Sequence, residues 1–93
     1  MKIEVLENDH RLGWDGYGNR VKLVLKYKRR IFRVCDLLSI ASPWFIYEAG
    51  YHPYYIVDHH GWRTSNHPKD IHPLDQKILD YAQAYLRLAP QPL

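Results

Sequence analysis

The sequence predicts an α+β protein, a small antiparallel β meander of about five strands with one C-terminal α-helix packed on one face. Short segments rich in β-branched and aromatic residues alternate with turn residues ahead of residue 60. Apolar residues recur at helical spacing near the C-terminus. The 93 residues, 46% of them hydrophobic, fit a single domain over 1–93, because a chain of this length buries a modest core without disulfides or metals.

The first strand is predicted over residues 2–7, where apolar and charged residues alternate weakly. Residues 12–14 are expected to extend or resume it. The strongest turn signal in the chain follows at residues 15–19, because Asp-Gly and Gly-Asn pairs supply the positive φ angles of tight reversals. This turn is expected to connect the first strand to the next element.

A basic β-hairpin is predicted over about residues 20–35. Period-two alternation places one set of side chains on the apolar face of its first strand: Val21, Leu23, Leu25 and Tyr27. The basic side chains fall on the opposite face with Val24. A reversal around residues 28–30 would bring Phe32 and Val34 opposite the apolar set, although the turn lacks the Gly or Asn that tight turns prefer.

This hairpin concentrates the positive charge of the chain. Between Arg20 and Arg33 there are seven basic and no acidic residues, whereas the formal net charge of the whole chain is only +3. Such a face can neutralise phosphates along a nucleic-acid backbone. It can equally be a solvated outer face, on which lysine prevents edge-to-edge aggregation. The candidate nucleic-acid-binding residues are Lys22, Lys26, Lys28, Arg29, Arg30 and Arg33.

The middle of the chain predicts a second hairpin. Residues 36–42 are compatible with a continued strand or one helical turn, and Pro43 ends either. An aromatic hairpin is predicted over about residues 44–58, because both of its ends are rich in aromatic and β-branched residues. A polar loop is expected over residues 61–69.

The last predicted element is a helix over about residues 73–88. Asp70 or His72 is expected to cap it, and Pro73 suits a first helical position. Prolines near the C-terminus end it. Its apolar positions recur at helical spacing: Leu74, Ile78, Tyr81, Ala82 and Tyr85.

The histidines raise the question of a metal site. Five of the six lie between His52 and His72, and histidine with carboxylate ligands can bind zinc. Adjacent residues of a strand face opposite ways, however, so His59 and His60 would not both point at one ion if the strand continues through them. Their spacing also matches no established motif, and we predict no metal and no other cofactor.

The strand histidines, followed by Asn66 and a helix, also resemble the ββα-metal nucleases. The resemblance implies His59 or His60 as base and Asn66 as its orienting residue. It also implies His72 or Asp75 as the metal ligand. The connection from strand to helix is short here, and the zinc-binding cysteines of many relatives are absent. We therefore predict a protein that is not an enzyme, with no catalytic residue assigned, and keep this nuclease as an alternative.

The single cysteine, Cys35, excludes an internal disulfide and a Cys-based zinc site, which favours a cytoplasmic location. Acidic residues interrupt the N-terminal segment where a secretory signal needs an apolar core. No apolar run approaches the roughly 20 residues of a membrane span, so no membrane partner is expected. The loop residues Tyr51, Trp62 and Arg63 are candidate partner-binding residues.

Part of the chain resembles small uncharacterised β-rich domains that accompany translesion-type DNA polymerase proteins in bacteria. The similarity lies in the order of the following residues: 27–34, Leu37, Leu38, Trp44, 54–57, Gly61 and Trp62. A helix here replaces the closing aromatic strand expected from that resemblance, which implies a DNA-related function and no individual residue roles.

We therefore predict a binding module, monomeric or homodimeric, whose basic hairpin contacts a nucleic acid or an acidic protein surface. The alternative is a protein-binding adaptor or inhibitor of the phage or mobile-element accessory type, which would use the aromatic residues.

Overall fold

A computed structural model of the protein describes residues 2–8 and 14–88. Four antiparallel strands form one sheet in sequence order: β1 (Glu4–Asn8), β2 (Val21–Tyr27), β3 (Arg30–Asp36) and β4 (Tyr54–Val57). A 3₁₀ turn at Leu37–Ser39 and two helices, α1 (Trp44–Tyr47) and α2 (Pro73–Leu88), complete the fold. The predicted α+β meander with a C-terminal helix is confirmed, with four strands in the described ranges rather than about five. Residues 12–13, expected to extend the first strand, lie outside the described residues.

The basic hairpin reverses over two residues. Tyr27 pairs with Arg30, and the intervening Lys28 and Arg29 have φ angles of 47° and 68°. Two successive positive φ angles are typical of a type I′ turn, whose twist matches that of the flanking strands. The chain therefore makes the tightest hairpin connection without the glycine or asparagine that normally occupies it.

Apolar side chains cover both faces of the sheet. On one face α2 packs against the strands in a first cluster, formed by Leu23, Leu25, Phe32, Val34, Ile56, Ile78, Leu79, Ala82 and Leu86. On the other, here called the outer face, a second cluster contains Val21, Val24, Cys35, Leu37, Tyr55 and Val57. Phe45, Ile46 and Tyr51 pack against this second cluster from outside the sheet.

The register of β2 against β3 shifts between Val21 and Leu23. A bulge of this kind interrupts the two-residue alternation of side chains. Val21 therefore lies with Val24 and Cys35 in the second cluster, and the expectation that it shares a face with Leu23 was wrong. The outer face of the hairpin is thus apolar near the bulge and basic only toward the turn.

Trp44–Tyr47 forms the short helix α1, so the prediction of a strand here, and with it the second hairpin over 44–58, was wrong. Pro43 has helical angles of −57° and −21°, which its ring favours and which start a helical turn. The adjacent residues Phe45 and Ile46 both pack against the second cluster. A strand would point such neighbours to opposite faces, so the packing requires a helical turn.

The helix α2 begins with a histidine cap. The Leu74 N–H donates to Nδ1 of His72 at 3.1 Å, and Pro73 occupies the first helical position. Within the described ranges, neither helix is long and apolar enough to cross a membrane.

His52 links β4 to α2. Its Nε2 lies 3.1 Å from Oδ1 of Asp80, and its Nδ1 accepts the Tyr54 N–H at 3.1 Å. The neutral imidazole protonated on Nε2 satisfies both contacts. Burial lowers the pKa of His52, and the hydrogen bond and charge of Asp80, which oppose that shift, do not offset it. The side chain of Asp80 is 59% exposed, so water weakens its effect.

We expect the thermal unfolding temperature to fall as the pH drops below the unfolded-state His pKa of about 6.5. In that window the unfolded chain binds more protons than the folded one, because the folded pKa of His52 is the lower. Melting curves between about pH 8 and about pH 5 measure the effect. His52→Gln should melt lower at pH 8 and lose part of the pH dependence, whereas a dependence equal to that of the parent chain would contradict this role.

Candidate nucleic-acid interface

The tip of the hairpin, defined here as Lys28 and Arg29, presents two exposed cations beyond the ends of the strands. Two basic side chains at this end of the hairpin lie over aromatic rings. Nζ of Lys28 lies 5.5 Å from the Tyr27 ring centroid, and the Arg30 guanidinium lies 4.7 Å from that of Phe32. Contacts of this kind restrain long basic side chains without neutralising their charge.

The six predicted cations do not form a single stripe. Lys26 and Arg33 follow the alternation of the outer face, and Arg30 lies on the α2 side with Phe32. Lys22 is half-buried at the bulge. The positive charge thus surrounds the end of the hairpin, instead of covering one face as the sequence pattern indicates.

The cations of the hairpin end have little acidic compensation. Among the described residues, no carboxylate lies within the 4.0 Å ion-pair distance of five of them: Lys26, Lys28, Arg29, Arg30 and Arg33. Glu4 is aligned with Lys26 across the β1–β2 pair without such a contact. A depression between β1 and the hairpin tip has four basic residues among its six lining residues, which are Lys2, Ile3, Glu4, Lys26, Lys28 and Arg29. This end of the molecule can therefore attract an anion.

Of the predicted partner-binding residues, Trp62 and Arg63 line one depression, whereas Tyr51 lies outside it. The ring of Tyr51 is half-buried and packs edge-on against Phe45, at 5.4 Å, and against His67, at 4.9 Å. Trp62 is 74% exposed. Arg63 donates from Nε to Oδ1 of Asn19 at 2.6 Å. Trp62 alone of the three presents a largely free apolar surface.

Asn19 joins the two loops on this side of the molecule. It is fully buried, and its Nδ2 donates to Oδ2 of Asp15 at 2.8 Å and to the Gly61 carbonyl at 3.3 Å. Its Oδ1 accepts the Tyr55 hydroxyl at 2.9 Å as well as Arg63. The turn at residues 15–19 was predicted from its glycines, but the sequence gives no signal that Asn19 bonds to residues about forty positions later.

Two aspartates each accept hydrogen bonds from two backbone N–H groups of their own loop. Oδ1 of Asp15 accepts the N–H groups of Tyr17 and Asn19, and Oδ1 of Asp58 accepts those of His60 and Trp62. Desolvation acts to raise the pKa of both carboxyls, but hydrogen bonds outweigh it and hold each pKa below the usual value. For Asp15 these are the Asn19 side-chain bond and the backbone bonds, and for Asp58 they are the backbone bonds. Both groups are therefore anionic at neutral pH.

The two loops bring Tyr17 and Trp62 to the same depression. Both line a shallow depression that also includes His60, Gly61 and Arg63. Gly61 has a φ of +81°, and a Cβ on it would overlap the Tyr17 ring. The tyrosine thus lies directly on the backbone of the second loop. Sequence reasoning missed Tyr17, because its position depends on this contact between distant loops.

The histidines and Asn66 have structural contacts. The buried Asn66 amide donates to the His52 and Tyr54 carbonyls, and Nδ1 of His72 caps α2. The rings of His59 and His60 lie 3.9 Å apart. Over residues 2–8 and 14–88, no group of three metal-ligating side chains converges. In the nuclease arrangement, Asn66 would orient the base and His72 is one of the two candidate metal ligands. Both side chains instead make the structural hydrogen bonds given above.

Cys35 is fully buried in the second cluster. Burial raises the pKa of its thiol to about 12. The thiolate, which is the nucleophilic form, is therefore scarce at neutral pH.

No protein-family model, curated protein or solved structure matches the chain. The similarity to domains that accompany translesion-type polymerases therefore stays a prediction.

Replacing Asn19 with Ala should destabilise the protein by roughly 3 kcal/mol, because it leaves the buried Tyr55 hydroxyl and the Arg63 Nε without their acceptor. Urea unfolding measures the change in the free energy of unfolding.

Tyr55→Phe removes only the hydroxyl and should cost about 1 kcal/mol. In that background Asn19→Ala should cost less than in the parent chain. A cost below about 0.5 kcal/mol for Asn19→Ala alone would show that the junction is not needed for stability.

Proposed function

We propose that the protein is a non-enzymatic binding module whose basic hairpin end contacts the phosphate backbone of a nucleic acid. The conformation of the hairpin tip supports this most strongly. Lys28 and Arg29 both have positive φ angles, which cost a non-glycine residue about 1–2 kcal/mol each. An Asn-Gly pair would form the same turn at lower cost.

Backbone strain in proteins concentrates where function requires a particular side chain. Here the strained positions carry two cations, and Lys26 and Arg30 flank them without a carboxylate partner in the described ranges. A solvated outer face would need neither the strain nor the concentration of charge. The chain therefore keeps cations at the tip at the expense of fold stability.

A two-stranded ribbon is narrow enough to enter the major groove of a duplex. Contacts from lysine and arginine to phosphates fix the position of a protein on nucleic acid but do not read its sequence. The expected activity is therefore binding with little sequence preference and a steep dependence on salt.

Replacing the turn residues with the preferred pair, Lys28→Asn with Arg29→Gly, should stabilise the fold and weaken binding at the same time. We expect the melting temperature to rise by about 4 °C or more. The slope of log affinity for duplex DNA against log salt should fall by about 1.8, since each phosphate contact contributes about 0.9. Fluorescence anisotropy of labelled duplexes across a salt series measures the slope.

The matched control removes two exposed cations outside the hairpin, Lys69→Gln with Lys77→Gln. Both double variants lower the net charge equally, so an effect of overall charge would appear in both. Equal slopes for the two variants, or undiminished binding by the turn variant, would contradict the proposal.

Binding to a protein partner is the second candidate function. Trp44 and Tyr47 are 56% and 77% exposed and lie three residues apart on α1, a spacing that places both on one side of a helix. Exposed aromatic side chains of this kind are frequent anchors of protein interfaces. Absence of nucleic-acid binding at low salt would favour this function over the first.

A further inference from the structure

The aromatic pair, defined as Tyr17 and Trp62, is exposed, but the backbone that carries each ring is hydrogen-bonded within its loop. Their exposed fractions are 61% and 74%. Asp15 fixes the backbone of Tyr17, Asp58 fixes that of Trp62, and Asn19 ties the two loops together through Gly61. A surface that is rigid before binding loses little conformational entropy when a ligand packs on it.

The aromatic pair adjoins the basic hairpin. Tyr17 and Arg33 line the same depression on the outer face. Arg33 pairs with Val24, and the next outward-facing pair along the hairpin is Lys26 with Ile31, roughly 7 Å closer to the tip. A continuous path therefore runs from the hairpin tip through Arg33 to Tyr17 and Trp62.

The charges along this path differ at its two ends. The carboxylates of Glu7, Asp15 and Asp58 also line the depression beside Tyr17, whereas the hairpin end is basic. Phosphates are therefore attracted to the hairpin, and uncharged flat groups suit the loop end. Nucleobases are flat and stack on aromatic rings, but a duplex hides their faces.

We infer that Tyr17 and Trp62 form a stacking platform for the bases of single-stranded nucleic acid whose backbone is held by the hairpin cations. This inference rests on the proposed function and adds to it a strand type and a second contact surface. The pair gives the protein a preference for unpaired over paired strands.

The test compares Tyr17→Ala and Trp62→Ala with the parent chain, using labelled oligothymidine and a mixed-sequence duplex of equal length in anisotropy titrations at one salt concentration. Each substitution should weaken binding to the single strand by about 5- to 150-fold, the usual loss for one stacked base. Duplex binding should stay within about twofold. Because both side chains are exposed, the variants are expected to fold, which circular dichroism checks.

The matched controls are Trp44→Ala and Tyr47→Ala, which remove equally exposed aromatic residues on α1. They should bind both oligonucleotides as the parent chain does. Unchanged single-strand binding by both platform variants, with weaker binding by the hairpin-tip variant, would overturn the platform and leave the hairpin function standing. Equal losses on single strand and duplex would overturn the strand preference. Absence of binding by the parent chain at low salt would overturn both proposals.

Discussion

One buried amide side chain connects the parts of this small protein that lie outside the regular sheet and helix. Asn19 bonds to the loop that precedes β2, to the β4 hydroxyl of Tyr55 and to the loop that follows β4. All of its side-chain hydrogen-bonding groups have partners in the protein, and these hydrogen bonds offset the free energy lost when the amide leaves water. Asn19 supplies the side-chain hydrogen bonds that join Gly61 and Arg63 to the first loop, so its loss would weaken the contact between the two loops that carry Tyr17 and Trp62.

The bulge beside Lys22 divides the outer face of the hairpin into an apolar part and a basic part. It turns Val21 toward Val24 and Cys35, so the base of the hairpin packs against the loops and helix α1. Beyond it the strands extend to the hairpin tip, which carries cations instead of apolar contacts. The buried base anchors the ribbon, and the free end projects charge away from the core. This division explains how Lys26, Lys28, Arg29 and Arg30 remain exposed on a sheet whose base is covered on both faces.

The elements that were predicted correctly are those determined by the spacing of apolar residues along the chain. Alternation identified the hairpin strands, and helical spacing with Pro73 identified α2. The aromatic composition of Trp44–Tyr47 favoured a strand, but burial of the neighbours Phe45 and Ile46 against the second cluster required a helix. The bulge was hidden because a one-residue shift leaves the composition unchanged. Tyr17 and Asn19 were missed for another reason, since their contacts reach Gly61 and Arg63, and such pairings arise only from the folded topology.

The most direct test of the account is an NMR titration of ¹⁵N-labelled protein with a short single-stranded oligonucleotide at low salt. The account predicts that the largest amide shifts fall in residues 26–33, with a second group in residues 15–19 and 58–63. These shifts should shrink at about 0.5 M salt, where charges are screened within a few ångströms. Shifts confined to α1, or no shifts at the lowest salt, would contradict the assignment of the basic hairpin as a nucleic-acid interface.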